Sequence, residues 1–449
     1  MQTSLTRGSV WKSILLFTLP VLGGMLLQQL YTTVDGIIVG NFVSSAALGA
    51  IGTCAPLTNL LLAVATGFSS GFGVIAAQYF GAKREDRLRR AYATALVLMI
   101  AAGLAVTALG LAFGRLFLQR VLCVPDEVLG MASVYLRIYC AGMLFQFIYN
   151  AQAAALRALG DSAATMLFLL ISTAANIALD LLFVVVLHWG VAGAAAATVL
   201  AQLLSVAAAF CYAQKKHALL RVRASGLRPD AEEAKLICRL GVPAALQTAA
   251  LAVGSLFMQR LINSFGSAML EGYTAGYRVE SFVTLPVISF NVGLATFTGQ
   301  NIGAGQMDRV KTGHWQTLIM AVAASGVIAV LITVLAGPLV RLFGCEGEAL
   351  MIGQTYLRFI AKWLVVFAVL FVTKGLLHGA GDVTTATIIT VFTLILRVGS
   401  GYYMATIPSI GRAAVWYALA IDFSVGTVLI LLRYFTGGWK KKAVVKAEA

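Results

Sequence analysis

Gln78-Tyr-Phe-Gly-Ala82 returns in the second half of the chain as Gln300-Asn-Ile-Gly-Ala304, and this echo decides the fold. Working outward from it, other anchors keep the same order at an offset of roughly 221–223 residues. Pro20 matches Pro243, Phe42 matches Phe265, and Tyr135-Leu-Arg137 matches Tyr356-Leu-Arg358. Gly160-Asp161 matches Gly381-Asp382, and Gly190 matches Gly411. Anchors spread over the whole length mark an internal duplication.

The duplicated piece belongs in a membrane. Of the 449 residues 60% are hydrophobic and 11% charged, and the mean hydropathy is +0.88. Apolar stretches longer than about 18 residues, each able to span as a helix, follow one another throughout. Breaks at Gly, Pro and charge clusters predict twelve helices, near 13–40, 46–80, 88–118, 128–158, 161–190, 191–214, 234–265, 268–301, 309–342, 350–378, 382–407 and 412–435. Each half holds six, an even number, so both halves enter from the same side. They are parallel repeats related by an axis along the membrane normal. The expected class is an all-α integral membrane protein. Its N-terminal lobe covers 1–213, a polar cytoplasmic linker 214–235, and a C-terminal lobe 236–449 with a basic tail.

The net charge of +15 suggests nucleic acid until its placement is considered. With the N-terminus inside, about 22 of the 33 basic residues fall on the inner side and about four outside, the positive-inside pattern. Both termini are expected in the cytoplasm, with membrane lipids rather than nucleic acid as the partner of the basic face. The first apolar segment exceeds a signal-peptide core and has no small-residue cleavage site, so it reads as a retained helix. Six cysteines are scattered without CxxC or nearby His, which gives no disulfide framework and no zinc site. Cys123 and Cys345 fall in outer loops at equivalent places of the two halves, which leaves a bridge between them open.

Function should lie where the chain accepts a cost it elsewhere avoids. Asp35, in Leu30-Tyr-Thr-Thr-Val-Asp35-Gly-Ile-Ile-Val-Gly40, and Asp180, in Asn176-Ile-Ala-Leu-Asp180, stand deep in apolar segments. A carboxylate in hydrocarbon costs at least a few kcal/mol and normally faces a partner, a cavity or a substrate path. The repeat does not copy them: Asp35 aligns with Met258, Asp180 with Gly401 and Asn176 with Arg397. Asn176 and Asp180 are one turn apart on one helix face. Burial disfavours the charged form of a carboxyl group, and a second carboxyl nearby disfavours ionising both. Such a pair can carry a proton, with Asn150, Asn176 and Thr198 supplying hydrogen bonds. Pro20 and the glycines at 23, 24 and 36 give the first helix places to bend. The plainer reading is that Asp35 only fixes helix packing.

These stretches are where the chain resembles a known family. Val34-Asp-Gly-Ile-Ile-Val-Gly40, Gly71 to Ala82, Leu156-Arg-Ala-Leu-Gly-Asp161, Asn176 to Asp180, Gly190-Val-Ala-Gly193 and Gln300 to Ala304 look like the multidrug and toxic compound extrusion (MATE) family, in its DinF-like prokaryotic branch. The resemblance implies a V-shaped, two-lobe antiporter of the inner membrane. It would export small amphipathic, often cationic compounds in exchange for H⁺ or Na⁺, with no cofactor and no catalysis, as a monomer. It places the ion site at Asp35, Asn150, Asn176, Asp180 and Thr198. The sodium-coupled branch carries second-lobe acids where this chain has Gln259-Arg260 and Lys374, so proton coupling is favoured. Na⁺ at Asp35, Asn176 and Asp180 stays open, because their oxygens suit it too.

In the second lobe Glu280 and Asp422 are the deepest acids, either ion-site candidates or neutralisers of Arg260, Arg278 or Arg397. Lys374 and His378 are expected to snorkel to the inner interface. Tyr31, Phe68, Phe145, Tyr149, Phe282, Phe290 and Phe367 are candidates to line a substrate cavity, against a default of packing or lipid contact. Gly379-Ala-Gly-Asp382 spells the GxGD string of intramembrane aspartyl proteases. Its repeat partner Gly160-Asp161 and its place before an apolar run read instead as a helix N-cap. No Walker A, GxSxG or HExxH string occurs. The alternative function is a lipid-linked glycan flippase of the same superfamily, for which an Arg-lined cavity would speak.

Overall fold

The computed structural model describes residues 5–122, 124–221 and 228–445. Among these described residues, twelve helices are long and apolar enough to cross a membrane. In the first half they are α1 (Val10–Phe42), α2 (Ser45–Gly81), α3 (Glu85–Arg120), α4 (Asp126–Ala158), α5 (Ser162–Asp180) and α6 (Gly190–Lys216). In the second half they are α7 (Ala231–Asn263), α8 (Ser267–Gly303), α9 (Met307–Arg341), α10 (Gly347–Gly379), α11 (Val383–Ala405) and α12 (Ala414–Phe435). The sequence reading places these within a few residues except at the end of α5, read to 190, where the α-helix stops at Asp180 and a π turn runs on to Val186. It misses a break in α8, where Thr284 separates two helical pieces and Pro286 opens the second. Proline has no N–H to continue the ladder, so the helix restarts there.

The duplication is visible in local chemistry. Gly160 and Gly381 adopt φ of +84° and +87° at the α4–α5 and α10–α11 turns, a left-handed conformation that favours glycine. The aspartates after them behave differently from one another. Asp161 caps α5 by accepting from the Ala164 amide at 3.2 Å. Asp382, expected to cap α11 in the same way, makes no backbone cap bond; it accepts from Thr385 Oγ1 at 2.7 Å and Arg433 Nε at 2.6 Å. In the first half the place of Arg433 is taken by Tyr212, which donates to Asp161 at 2.8 Å, joined by His217 Nε2 at 3.0 Å.

Burial pushes the Asp161 carboxyl up, but the hydrogen bonds from His217, Tyr212 and the Ala164 amide outweigh it and hold it below the ordinary carboxylate range. A carboxyl with a lowered pKa stabilises the fold at neutral pH, and that contribution is lost as pH falls from about 3.9 through the folded value. Asp161→Asn should therefore lower Tm at neutral pH and flatten its acid limb. A thermal scan across pH checks this, and an unchanged acid limb would refute it.

Two compact units emerge, with their boundaries inside α1 and α7. Of the described residues, one unit holds Leu19–Ala249 and the other joins those before Leu19 to those from Ala250 onward. The first unit thus includes the start of α7, residues 231–249, and the second includes the start of α1, residues 10–18. In the first unit α7 meets α2 through small residues. A Cβ on Gly67 would stand 2.3 Å from the Ala245 backbone, and one on Gly71 2.5 Å from that of Gly241. Close backbone approach through small-xxx-small spacing is a standard means of helix association in lipid. The second unit repeats the crossing, with Gly293 of α8 against Thr18 of α1.

Polar contacts fasten the entry of each exchanged helix. Arg87 reaches Glu232 at 2.8 Å and Glu233 at 3.2 Å, and the Tyr79 hydroxyl donates to Glu233 at 3.1 Å. At the equivalent positions Arg309 donates to the carbonyls of Arg7 at 2.9 Å and Gly8 at 2.8 Å, and Asn301 to that of Leu5 at 3.2 Å. The exposed Arg87–Glu232 pair contributes little by itself. Glu233 is fully buried, so its partners matter more.

Candidate functional site

Within the first unit, α1, α5 and α6 carry five of the sequence-predicted residues. Tyr31 and Asp35 are one turn apart on α1, and Asn176 and Asp180 end α5. The Asp35 and Asp180 carboxyl groups lie within hydrogen-bonding reach of each other. Asp180 is fully buried and Asn176 almost so. Thr198 of α6 donates to the Ala194 carbonyl at 3.1 Å. With that proton committed, Tyr31 is the donor in its 3.1 Å contact with Thr198.

The acids are left without donors. Both Asp180 oxygens, Asp35 Oδ1 and both Asn176 amide atoms are buried with no hydrogen-bond partner among the described residues. No Lys or Arg there pairs with either acid. Two carboxylates cannot bond to each other, so a contact between them needs a proton held in the middle. An unsatisfied buried polar group costs about 1–3 kcal/mol, more if charged. The arrangement is costly as a scaffold and suited to a small cation.

Local backbone sets the geometry of Asp180. The helix opens into a π turn, Leu181–Val186, directly after it, with Leu187 N–H bonded to the Leu182 carbonyl at 2.8 Å. Such turns occur often at functional sites. Phe183 anchors this one, stacked on Trp189 at 4.9 Å and pressed against Gly193. Nothing in Leu181-Leu-Phe-Val-Val-Val186 announces it, since the run has neither Gly nor Pro.

The remaining candidates scatter. Asn150 turns back on its own helix, donating to the Gln146 carbonyl at 2.8 Å. Tyr149 Oη stands 3.5 Å from the Thr165 carbonyl. Phe68 lies against Gly241 in the α2–α7 crossing, a packing position. Phe290 is buried in α8, and Phe282 is half-buried at the α8 break. Cys345 is a free thiol, and Cys123 lies outside the described residues. No group of three His, Cys, Asp or Glu able to hold a metal ion occurs among the described residues.

The second unit preserves the scaffold of the acid pair without its chemistry. A Cβ on Gly401 would stand 3.5 Å from Met258 Cε, so the counterparts of Asp180 and Asp35 are neighbours too. Charge sits elsewhere in this unit: Asp422 faces Arg397 at 3.7 Å, and Glu280 accepts from the Tyr356 hydroxyl. Arg260 and Arg278 are exposed. Lys374 does not reach an interface as expected; it is 8% exposed, because Gly375 and Gly379 press that end of α10 onto the α8 backbone.

The sequence model of the MatE family matches residues 20–182 and 243–403, one stretch in each half. The chain belongs to the MatE family. The probable multidrug resistance protein YpnP of Bacillus subtilis is 31% identical over 97% of both chains. The probable multidrug resistance protein NorM of Thermotoga maritima is 24% identical over 97% of this chain and 95% of its own. Among solved structures, a multidrug resistance MATE family transporter in an outward-facing conformation aligns over 98% of this chain and 99% of its own, with TM-score 0.91 and 24% identity. A MOP superfamily transporter from Pyrococcus furiosus, described as having a binding pocket of reverse polarity, aligns with TM-score 0.90 and 24% identity over 98% of both chains. At that identity these structures establish the MATE two-lobe fold, and the chain is a multi-pass membrane protein.

Proposed function

We propose that this MatE protein exports small amphipathic, often cationic compounds from the cytoplasm in exchange for protons. Asp35 and Asp180 hold the proton, and Asn176 and Thr198 shape the site. The observation that carries this reading is the buried carboxyl pair, present in one copy of a duplicated scaffold and given no donor by the described residues. The names of the multidrug resistance relatives support the substrate class. The positive-inside pattern supports cytoplasmic termini and a place in the inner membrane.

A proton between the acids removes their repulsion and draws α1 toward α5, and its loss drives them apart. An ion that binds one state better shifts the equilibrium by that difference in affinity. Substrate and proton need only favour opposite states to be exchanged.

The test is ethidium efflux from proteoliposomes holding wild type or Asp35→Asn, with a pH or a Na⁺ gradient imposed separately. Efflux driven by the pH gradient and lost in the variant is the expected result. Efflux driven only by Na⁺ reassigns the ion to Asp35, Asn176 and Asp180. No gradient-driven efflux from wild type overturns the antiport reading and favours the lipid-linked glycan flippase.

A further inference from the structure

The second unit ends in a basic turn that is folded back rather than trailing. α12 closes at Phe435, and Gly437, at a left-handed φ of +69°, reverses the chain into a 3₁₀ turn, Gly438–Lys442. A residue without Cβ adopts that conformation at little cost. Trp439 pins the turn. It is 1% exposed, its ring stacks on Tyr434 at 6.1 Å, and its Nε1 donates to the Tyr434 carbonyl at 3.0 Å. Tyr434 in turn packs on His314 of α9 at 4.4 Å, and Val445 is buried just beyond. Lys440, Lys441 and Lys442 are held in this turn as one exposed run, with Lys440 Nζ 5.8 Å from the Trp439 ring.

Lysines past a helix end usually serve its unpaired carbonyls and the negative end of its dipole. Here those carbonyls are already taken. Leu432 O accepts from the Thr436 amide at 3.0 Å, and Arg433 O from Thr436 Oγ1 at 3.0 Å. Tyr434 O accepts from the Gly437 amide at 3.1 Å as well as from Trp439. The lysines do not neutralise an acid either: among the described residues no Asp or Glu pairs with any of the three. Asp382, the acid at the foot of α11, is held by Arg433. Each ammonium keeps three N–H donors for something outside the chain.

We propose that residues 437–442 form a preordered dock for the headgroup phosphate of an anionic phospholipid. Lys440 follows the last residue of a membrane-crossing helix by five positions, 435 to 440, and the turn keeps the run close to that helix end, at headgroup level. Phosphate oxygens supply the acceptors the three ammonium groups lack, in charge-assisted hydrogen bonds. Basic residues beside a membrane helix are attracted to anionic lipid in any case. A basic face needs only charge; this dock needs charge that Trp439 holds in place. It is independent of what the protein transports.

The test titrates the purified full chain, in a non-ionic detergent, with phosphatidylglycerol or phosphatidylcholine of the same acyl chains, and counts bound lipid by native mass spectrometry. Wild type should bind the first phosphatidylglycerol about tenfold tighter than phosphatidylcholine, a modest return for three lysines at the surface. Replacing Lys440, Lys441 and Lys442 together by Gln should erase that preference, and replacing them by Arg should keep it. Trp439→Ala, with every lysine in place, should reduce it about threefold or more. Gln at Lys83, Arg89 and Lys235, exposed cations of the first unit, makes the same change in net charge and should leave it intact. No preference in wild type, or equal losses in the two Gln triples, would overturn the dock. Full preference in Trp439→Ala would reduce the lysines to a loose basic tail and overturn it too. Inorganic phosphate that displaces phosphatidylglycerol at equal concentration would show a site for the free anion instead of the lipid.

Discussion

Asp180→Asn should make this protein more stable and inactive at once. Asp180 is fully buried, both its oxygens lack donors, and a second carboxyl stands within reach. An asparagine of the same shape removes the need to neutralise that position and offers an N–H to Asp35. Relief of an unsatisfied buried group of this kind is worth about 1–3 kcal/mol. Tm in detergent should rise, while ion-driven efflux in liposomes falls to the level of protein-free vesicles. The two readouts separate the explanations: a purely structural aspartate would lose Tm and transport together. A variant with lower Tm would therefore remove Asp180 from the ion site.

The same trade explains why the second half lacks the pair. Met258 and Gly401 meet where Asp35 and Asp180 meet in the first, so the scaffold tolerates an apolar contact there. A fold that can do without the acids and still keeps one pair fits their proposed use in transport better than a supporting role.

The sequence carried much of this plainly. Twelve apolar runs, a constant repeat offset and two acids out of place are signals of composition and spacing, and they survive without coordinates. What it concealed depended on which helix faces which. Nothing in the apolar runs marks Gly67, Gly71 and Gly241 as the places where backbones touch. Lys374 reads as a residue near a helix end, free to snorkel, until two glycines beside it turn that end inward. The π turn after Asp180 leaves no compositional trace because it is a choice of hydrogen-bond register, not of residue type. Asn150 has the right neighbours in sequence, but its amide is taken by its own helix.

Gly71→Ala should cost the first unit far more than its single methyl suggests. The new Cβ would stand 2.5 Å from the Gly241 nitrogen and 2.8 Å from its Cα, and backbone cannot swing aside as a side chain does. Overpacking against a fixed partner costs about 3 kcal/mol, enough to reduce the yield of folded protein sharply. Gly52→Ala, in the same helix with nothing within 4 Å of its Cβ, should be neutral or stabilising by up to about 1 kcal/mol. The counterpart crossing predicts a different outcome from the same substitution. At Gly293 the only atom closer than 3.5 Å to the new Cβ is Thr18 Oγ1, at 2.2 Å, and that hydroxyl is itself buried without a partner. Gly293→Ala should therefore be mild, and Thr18→Ala should relieve it, so the double variant is more stable than the sum of its single changes. Thermal scans of the five variants check the whole set. Equal losses for Gly71→Ala and Gly52→Ala, or no coupling between Thr18 and Gly293, would mean that these crossings are not closed by backbone contact.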